Sequence, residues 1–288
     1  MSLLLSLLRR RDIWKRIGTE RLTEPLHLNL IALLVAALGT TRAKVAFDLL
    51  VRQAHAYGLL ACADLARAQG LRRVTVAELG VGAGTGLLNL CQLAARIERA
   101  TGVQFQLVGF DTGTGLPPPT DYRDHPELYA IGDYPMDHHA LAAVLPPNAR
   151  LILGDLSETM EDFVAGMTPD APVGFVTLDV DFYSSSVQAL KVFTGPPECY
   201  FPYVHVYVDD LALPTHSRYA GELLAISEFN GANELRKLEF DRLLVHARVF
   251  KHAEWLAHMY KLHVLDHPRR NDVTKTGGQR FANPYLRN

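Results

Sequence analysis

Short apolar segments rich in β-branched and aromatic residues alternate with helical segments through the middle of this chain. The candidate strands are Val74–Leu79, Phe105–Phe110, Arg150–Leu153, Gly174–Leu178 and Val204–Val208. Because strands that alternate with helices form βαβ units, this pattern predicts a parallel sheet with helices on both faces. The chain is therefore expected to belong to the α/β class.

The regions on either side of this alternation have different patterns. Before it, apolar residues recur at helical spacing and are interrupted by Gly39 and Gly58, which predicts several helices. After it, Leu243–Phe250 and Met259–Leu265 are strand-like runs close together, which predicts an antiparallel hairpin at the sheet edge. We expect a helical extension over residues 1–70, a ligand-binding domain over 71–265 and a tail over 266–288.

Composition narrows the class of partner. The net charge of -2 gives no positive excess to neutralise a nucleic-acid backbone, so a small-molecule partner is favoured.

The three cysteines form no C-x-x-C pair, which suits free thiols in a cytoplasmic protein. The apolar stretch Leu28–Leu38 is about half the ~20 residues that span a bilayer, so no membrane partner is expected. The sequence leaves homo-oligomer formation open.

A glycine-rich turn follows the first candidate strand. The segment Glu78–Gly86 reads Glu-Leu-Gly-Val-Gly-Ala-Gly-Thr-Gly and leads into the apolar helical stretch Leu87–Ile97. Glycines allow a tight turn and close approach of a ligand to the backbone. The dinucleotide pattern G-x-G-x-x-G fails because position 85 is Thr, and no Lys follows as in a P-loop.

Acidic residues end the later strands. Asp111 follows the second strand, where a carboxylate could accept both ribose hydroxyls of a nucleoside bound on the glycine loop. Asp155 follows the third strand and could equally cap the next helix.

The fourth and fifth strands end in Asp179-Val180-Asp181 and Asp209-Asp210. Four carboxylates at one sheet edge repel each other unless protons or a cation intervene, and Mg²⁺ prefers such oxygen ligands. Helix capping or plain solvent exposure remains an alternative for some of these acids. His205 and His216 lie nearby, and we retain His216 as a reserve catalytic base.

The glycine segment resembles the first motif of class I S-adenosylmethionine (SAM) methyltransferases, in which an acidic residue precedes G-x-G-x-G. This resemblance implies a Rossmann-like, mostly parallel seven-stranded sheet with an N-terminal helical extension, and SAM as cofactor. The implied cofactor-binding residues are Glu78, Gly80, Gly82, Gly84, Thr85 and Asp111, together with Asp155 at the adenine.

Further segments resemble the macrocin O-methyltransferase group, metal-dependent enzymes that act on sugar hydroxyls, and in particular an uncharacterised bacterial branch of it. The matching segments are Phe110-Asp111-Thr112, Gly115-Leu116-Pro117, Asp179-x-Asp181-x-Tyr183-Ser184-Ser185, Val208-Asp209-Asp210 and Ala225–Phe229. The resemblance implies Asp179, Asp209 and Asp210 as metal ligands and Asp181 as general base.

The chain departs from that group in places that bear on the acceptor. Thr194–Tyr203 replaces a glycine pair, Leu211 replaces an aromatic residue, and the segment Asp121–Asp137 and the tail after Trp255 differ. We therefore expect a remodelled acceptor pocket, with Tyr122–Asp137 as a lid over it.

The predicted function is a SAM-dependent O-methyltransferase that acts on a small molecule, a sugar or secondary metabolite, with a divalent metal, Mg²⁺. Two alternatives stay open. Asp179-x-Asp181 is also the D-x-D pattern of metal-dependent glycosyltransferases. A protein of the same fold could also bind SAM without catalysing transfer.

Overall fold

The computed structural model describes residues 17–211 and 216–274, and within them one seven-stranded sheet forms the centre. The strands are β1 (Arg73–Leu79), β2 (Gln104–Asp111), β3 (Ala149–Leu153), β4 (Val173–Leu178), β5 (Tyr200–Val208), β6 (Arg236–Phe240) and β7 (Met259–Val264). They lie in the order β3-β2-β1-β4-β5-β7-β6. The five strands predicted from the central alternation are all present, with slightly wider bounds.

Strands β1 to β5 pair in parallel, whereas β7 is antiparallel to both β5 and β6. The predicted fold class is thereby confirmed, as a mostly parallel α/β sheet of the Rossmann-like methyltransferase type. The parallel strands bring their carboxyl ends to one edge. The strand order reverses between β1 and β4, and ligands of open α/β sheets bind in the crevice at such a point.

The predicted hairpin is correct in its antiparallel pairing but wrong in one of its two strands. Leu243–Phe250 is not a strand, and the partner of β7 is Arg236–Phe240. The apolar residues of the mispredicted run pack elsewhere, since Phe250 is buried and its ring contacts that of Phe47 edge to face. Arg248, in the same run, forms an ion pair of 2.6 Å with Asp48. The run therefore docks on the N-terminal helices instead of joining the sheet.

The helices lie before, between and after the strands. They are α1 (Leu26–Leu38), α2 (Thr41–Ala46), α3 (Gln53–Ala68), α4 (Thr85–Thr101), α5 (His138–Val144), α6 (Leu156–Ala165), α7 (Tyr183–Ala189), α8 (Gly221–Ala232), α9 (Leu244–Ala247) and α10 (Pro268–Asn271). A π-helical turn spans Ile17–Arg21, and 3₁₀ turns span Tyr122–Asp124, Leu190–Phe193, Pro197–Cys199 and Glu254–His258. No helix of the described residues is long and apolar enough to cross a membrane.

Two apolar layers hold the helices against the sheet. On one face, α3 and α4 pack through buried residues such as Leu59 and Leu90. On the other face, α6, α7 and α8 pack through Phe163, Ala189 and Phe229. Burying one large apolar side chain contributes about 1.5–3 kcal/mol, so these layers fix the positions of the strand ends.

Gly58 does not interrupt a helix, contrary to the sequence-based prediction. It lies inside α3, where an added Cβ atom would come within 2.4 Å of the Phe175 ring. The glycine therefore permits close packing of α3 on the sheet. Gly39, in contrast, does end α1, as expected.

The predicted domain boundaries at residues 70 and 265 remain predictions. Helix α3 belongs to the predicted extension, yet its residues Leu59, Cys62 and Ala63 are fully buried in the core against the sheet. The predicted tail begins with the short helix α10, and residues 275–288 lie outside the described part of the chain.

Candidate active site

The glycine loop joins β1 to α4 at the carboxyl edge of the sheet, as predicted. Gly80, Gly82 and Gly84 all have positive φ angles, of 86°, 50° and 85°. A Cβ atom on Gly80 would lie 1.6 Å from the carbonyl oxygen of Asp179, so this position must be glycine. A Cβ atom on Gly82 would meet only the Tyr134 Cβ atom, 3.9 Å away. Gly82 therefore presents its backbone to open space.

Asp111, at the end of β2, binds this loop directly. Its Oδ2 atom accepts hydrogen bonds from the backbone N–H groups of Val81 (3.0 Å) and Gly82 (2.8 Å). Its Oδ1 atom accepts one from the N–H of Gly113 at 2.7 Å. A carboxylate offers about four acceptor positions, so one remains for a ligand hydroxyl. The predicted contact with ribose remains a prediction.

Glu78 lies beneath the loop and is 3% exposed. Burial raises the pKa of this carboxyl to about 8, with repulsion from Asp111 adding to the shift and the Arg52 charge opposing it. Its Oε2 atom is buried without a hydrogen-bond partner. A Cβ atom on Gly86 would lie 1.9 Å from Oε1, so Glu78 packs against the start of α4.

Asp155 and Thr85 also reach the site. The Asp155 carboxylate accepts a hydrogen bond of 2.7 Å from the Ser157 N–H and caps α6, which lowers its pKa. Capping, the alternative role considered for this residue, is thus present, and the adenine contact stays a prediction. The Thr85 hydroxyl accepts a hydrogen bond of 3.2 Å from the Arg52 guanidinium.

A cavity of about 830 Å³ lies over the loop and the ends of β2, β4 and β5. None of the described residues that line it is Lys, Arg or His. Its lining includes seven carboxylates, namely Asp111, Asp133, Asp155, Asp179, Asp181, Asp209 and Asp210. The cavity therefore favours a cationic ligand.

Asp179, Asp181, Asp209 and Asp210 meet in this cavity because β4 and β5 are adjacent and parallel. The Asp209 N–H donates to the Leu178 carbonyl oxygen at 2.9 Å, which aligns the two strand ends. The predicted gathering of four acids is present in the structure.

Burial and mutual repulsion disfavour the ionised forms of Asp179, Asp181 and Asp210. Burial raises the pKa of Asp179 well above its ordinary value, with Asp209 and Asp210 adding repulsion. Burial and the neighbouring Asp210 raise the pKa of Asp181 to about 8. Asp181 also has a φ of 59°, a strained conformation for a non-glycine residue that is often found at functional sites.

Three residues that the sequence did not indicate contact this cluster. The Tyr207 hydroxyl donates to Asp209 at 2.6 Å, and the Tyr129 hydroxyl donates to Asp210 at 3.3 Å. Glu222 on α8 accepts the Asp210 N–H at 3.0 Å and is buried, which raises its pKa strongly. No sequence signal distinguishes Tyr129 or Glu222, because each reaches the cluster only through the fold.

The fit of a metal ion to this cluster rests on its donors. Carboxylate oxygens suit a hard divalent cation, and the buried Oδ2 atom of Asp210 has no hydrogen-bond partner. Among residues 17–211 and 216–274, however, no group of three or more His, Cys, Asp or Glu side chains is arranged as a metal site. The donor chemistry fits Mg²⁺, and the predicted ligands Asp179, Asp209 and Asp210 stay a prediction.

The two histidines of the prediction lie outside the cavity lining. His216 makes a hydrogen bond through Nδ1 to the Asp210 carbonyl oxygen, and its ring stacks on that of His125 with centroids 4.8 Å apart. His205 is buried on β5, where its ring contacts Tyr57 on α3. Burial lowers the pKa of His205 to about 4, so this imidazole is neutral at pH 7.

The segment predicted as a lid lies against the cavity. Asp124 in its first turn is fully buried, and its carboxylate accepts hydrogen bonds from the backbone N–H and hydroxyl groups of both Thr120 and Ser184, at 2.6–3.0 Å. Tyr129 and Tyr134 of the same segment line the cavity. Asp124 thereby fixes the segment to the start of α7.

Arg52 is the main site residue that the sequence analysis missed. It caps α3 with a φ of 51° and lines a second cavity of about 460 Å³, which shares Asp209 and Asp210 with the first. Its hydrogen bond to Thr85 places a cation at the rim of the glycine loop.

No protein-family model matches the chain, and no curated protein matches it in sequence. Among solved structures, the calicheamicin methyltransferase CalS11 is 21% identical, with 71% of this chain and 77% of that chain covered and a TM-score of 0.47. A structure described as cmcI-D160 Mg-SAM is 19% identical, with 69% of each chain covered and a TM-score of 0.38. The MycE methyltransferase from the mycinamycin biosynthetic pathway, in complex with Mg and SAH, is 12% identical, with 70% and 48% covered and a TM-score of 0.32. None of these likenesses assigns the chain an activity, and its fold class rests on the order of its seven strands.

Proposed function

We propose that the chain is a SAM-dependent methyltransferase that methylates a hydroxyl group of a small molecule, a sugar or secondary metabolite, with Mg²⁺ as its divalent metal. The observation that carries this proposal is the cavity over the glycine loop. Its described lining carries seven carboxylates and no Lys, Arg or His, and Gly82 opens the loop backbone toward it.

The charges of SAM complement this lining. SAM carries a sulfonium and an ammonium cation, which the carboxylates attract, and one carboxylate, which needs a donor or a cation. Arg52 supplies that cation at the rim of the loop, since its guanidinium lies 3.2 Å from the Thr85 hydroxyl. We therefore assign Arg52 to the carboxylate of SAM.

The lining opposes the glycosyltransferase alternative. A nucleotide-sugar carries a diphosphate, which proteins bind with Arg, Lys, helix N-termini or several metal ions. The Asp179-Val180-Asp181 motif lies here among further carboxylates, and none of the described lining residues is a cation. A diphosphate would meet repulsion along most of this surface.

The proposed chemistry assigns separate tasks to the acids. Asp179, Asp209 and Asp210 would hold the metal, which when bound lowers the pKa of an acceptor hydroxyl. Asp181 accepts the hydroxyl proton, and burial already raises the pKa of its carboxyl to about 8, close to the range of an effective base. The bound cofactor supplies an electrophilic methyl group. Transfer forms a C–O bond, breaks the S–CH₃ bond and leaves a neutral thioether.

A binding comparison tests the assignment of ligand class. Calorimetric titration of the full chain with SAM, and separately with UDP plus Mn²⁺, should give binding with SAM alone. A coupled assay for S-adenosylhomocysteine over a panel of small hydroxyl compounds then tests transfer. UDP binding without SAM binding would favour a glycosyltransferase, and SAM binding without transfer to any acceptor would favour a protein that only binds SAM.

A further inference from the structure

Helix α1 exposes an unusually apolar face. Its outward side chains are Leu26 (74% exposed), Leu30 (57%), Ile31 (41%), Leu33 (69%), Leu34 (64%) and Leu38 (86%). The opposite face packs inward through Ala32, with Leu28 and Val35 half-buried. We propose that the outward face is a self-association surface, on which α1 of a second copy of this chain packs.

The absence of charge restricts the partner. No Asp, Glu, Lys or Arg lies between Glu24 and Arg42 in the sequence, so the face offers nothing to a charged partner. Soluble proteins seldom leave a helix apolar on its outer face unless another surface covers it. In a two-fold dimer, the same surface patch of each copy faces its counterpart, so an uncharged patch meets no like-charge repulsion. The outward face of α1 is therefore compatible with the same face of a second copy.

The spacing of the exposed residues indicates a helical partner. Leu26, Leu30, Leu33 and Ala37 follow one another at steps of four, three and four residues. These are the steps of the seam along which two helices pack side by side. The small side chain of Ala37, also exposed, lets the two backbones approach at one end of the seam.

A membrane surface fits this helix less well. Helices that lie in a bilayer interface carry Lys or Arg on a polar face, whereas α1 contains neither residue. Its half-buried Asn29 donates a hydrogen bond of 2.8 Å to the Arg21 carbonyl oxygen. The helix therefore lacks a basic face toward lipid head groups.

The test compares association states. Sedimentation equilibrium of the full chain should show a concentration-dependent dimer, and the double variant Leu30→Glu/Leu34→Glu should be monomeric because it places like charges across the two-fold axis. The matched control is Val144→Glu/Leu243→Glu, which changes two exposed apolar residues outside α1 and should stay dimeric. Circular dichroism checks that both variants are folded.

A cross-linking variant keeps the test independent of the stability of the charged variant. The three natural cysteines are buried, so they should not form intermolecular disulfides. Under mild oxidation the variant Leu33→Cys should form an intermolecular disulfide, whereas the variant Leu243→Cys should not.

Three results would overturn the proposal. One is a monomeric wild-type chain. This includes the case in which only a chain lacking residues 1–16 forms a dimer, because that segment would then cover α1 in place of a second copy. Another is a dimer that persists in the charged variant. The third is a monomer that floats with phosphatidylglycerol vesicles through α1.

Discussion

At the residue scale, Glu78 shows how the fold perturbs a single group. Its folded pKa of about 8 exceeds the ordinary value of 4.5 because burial disfavours the charged carboxylate. Between pH 4.5 and 8 the folded chain therefore retains a proton that the unfolded chain releases. The free energy of unfolding should fall as pH rises through this window and level off above it.

Replacing Glu78 with Gln should remove this component of the pH dependence. The variant should gain stability relative to wild type as pH rises from 5 to 8, by about 1.4 kcal/mol per pH unit at most. Urea unfolding of the ligand-free protein at several pH values measures the difference. Glu234→Gln, at an exposed position, is the control and should follow wild type. A constant difference between Glu78→Gln and wild type would contradict the assigned pKa.

Arg52 gives a second prediction at this scale. Arg52→Gln should weaken SAM binding by about tenfold or more, because a hydrogen bond to a charged group contributes about 1.5–3 kcal/mol. Methylthioadenosine lacks the amino-acid carboxylate, so its affinity should not change. Arg42→Gln, which loses only an exposed ion pair with Asp64, should bind both ligands normally. Equal losses for the two ligands would show that Arg52 only supports the loop.

At the scale of elements, the parallel ends of β4 and β5 set the acid cluster and hence the metal prediction. Asp209→Asn keeps the size of the side chain and removes a ligand charge, so Mn²⁺ affinity should fall by about tenfold or more. Asp181→Asn should spare the metal and slow transfer. Electron paramagnetic resonance titration measures Mn²⁺ binding without needing an acceptor.

A control variant and a chelation experiment accompany the Mn²⁺ titration. Asp155→Asn removes a cavity carboxylate that caps α6 and should leave Mn²⁺ affinity unchanged. Chelation with EDTA should abolish transfer and leave SAM binding nearly intact, because the glycine loop and Asp111 need no metal. Absence of Mn²⁺ binding in wild type, or transfer that survives EDTA, would remove the metal and return His216 to consideration as base.

The segment around Tyr122–Asp137 is held by the buried carboxylate of Asp124. Asp124→Asn removes the charge from four hydrogen bonds, so the segment should open more often and trypsin should cleave after Arg123 about tenfold faster. Asp137→Asn, which alters an exposed helix cap in the same segment, serves as control. Cleavage at equal rates in the two variants would mean that Asp124 does not hold the segment.

The lid role of this segment is a separate prediction. Deleting Tyr122–Asp137 should reduce acceptor turnover far more than SAM affinity, because Tyr129 of the segment contacts the acid cluster through Asp210. Loss of SAM affinity with turnover of bound substrate retained would contradict the lid assignment.

How far the sequence predicts these elements depends on how local their signals are. The central strands are continuous apolar runs buried on both faces, as β4 shows with six buried residues, and such runs are visible without tertiary information. Strand β6 gives a weaker signal because it is an edge strand with Glu239 and Phe240 exposed. The run Leu243–Phe250 is more apolar and looks more like a strand, although its partners lie near residue 48, about 200 positions earlier in the chain.

At the scale of the whole molecule, the site residues with local sequence signals are predicted, and those that depend on packing between distant elements are not. The glycine loop, Asp111 and the four clustered acids follow strand ends, and the rule for parallel sheets places strand ends together. Arg52 and Glu222 come from helices whose approach to that edge depends on packing across the core. Their roles could not be inferred from spacing along the chain.

The central claim is that SAM binds on the glycine loop, and one calorimetric comparison tests it directly. Gly82→Val places a branched side chain where the ligand must approach the backbone, whereas Gly70→Val changes another glycine of positive φ with nothing within 4 Å. Backbone strain is thus present in both variants, and only the first obstructs the cavity. Wild type and Gly70→Val should bind one SAM per chain, and folded Gly82→Val should lose about two orders of magnitude or more in affinity, equivalent to roughly 2.8 kcal/mol. Equal SAM affinity for Gly82→Val and Gly70→Val, or no SAM binding by the wild-type chain, would contradict the account.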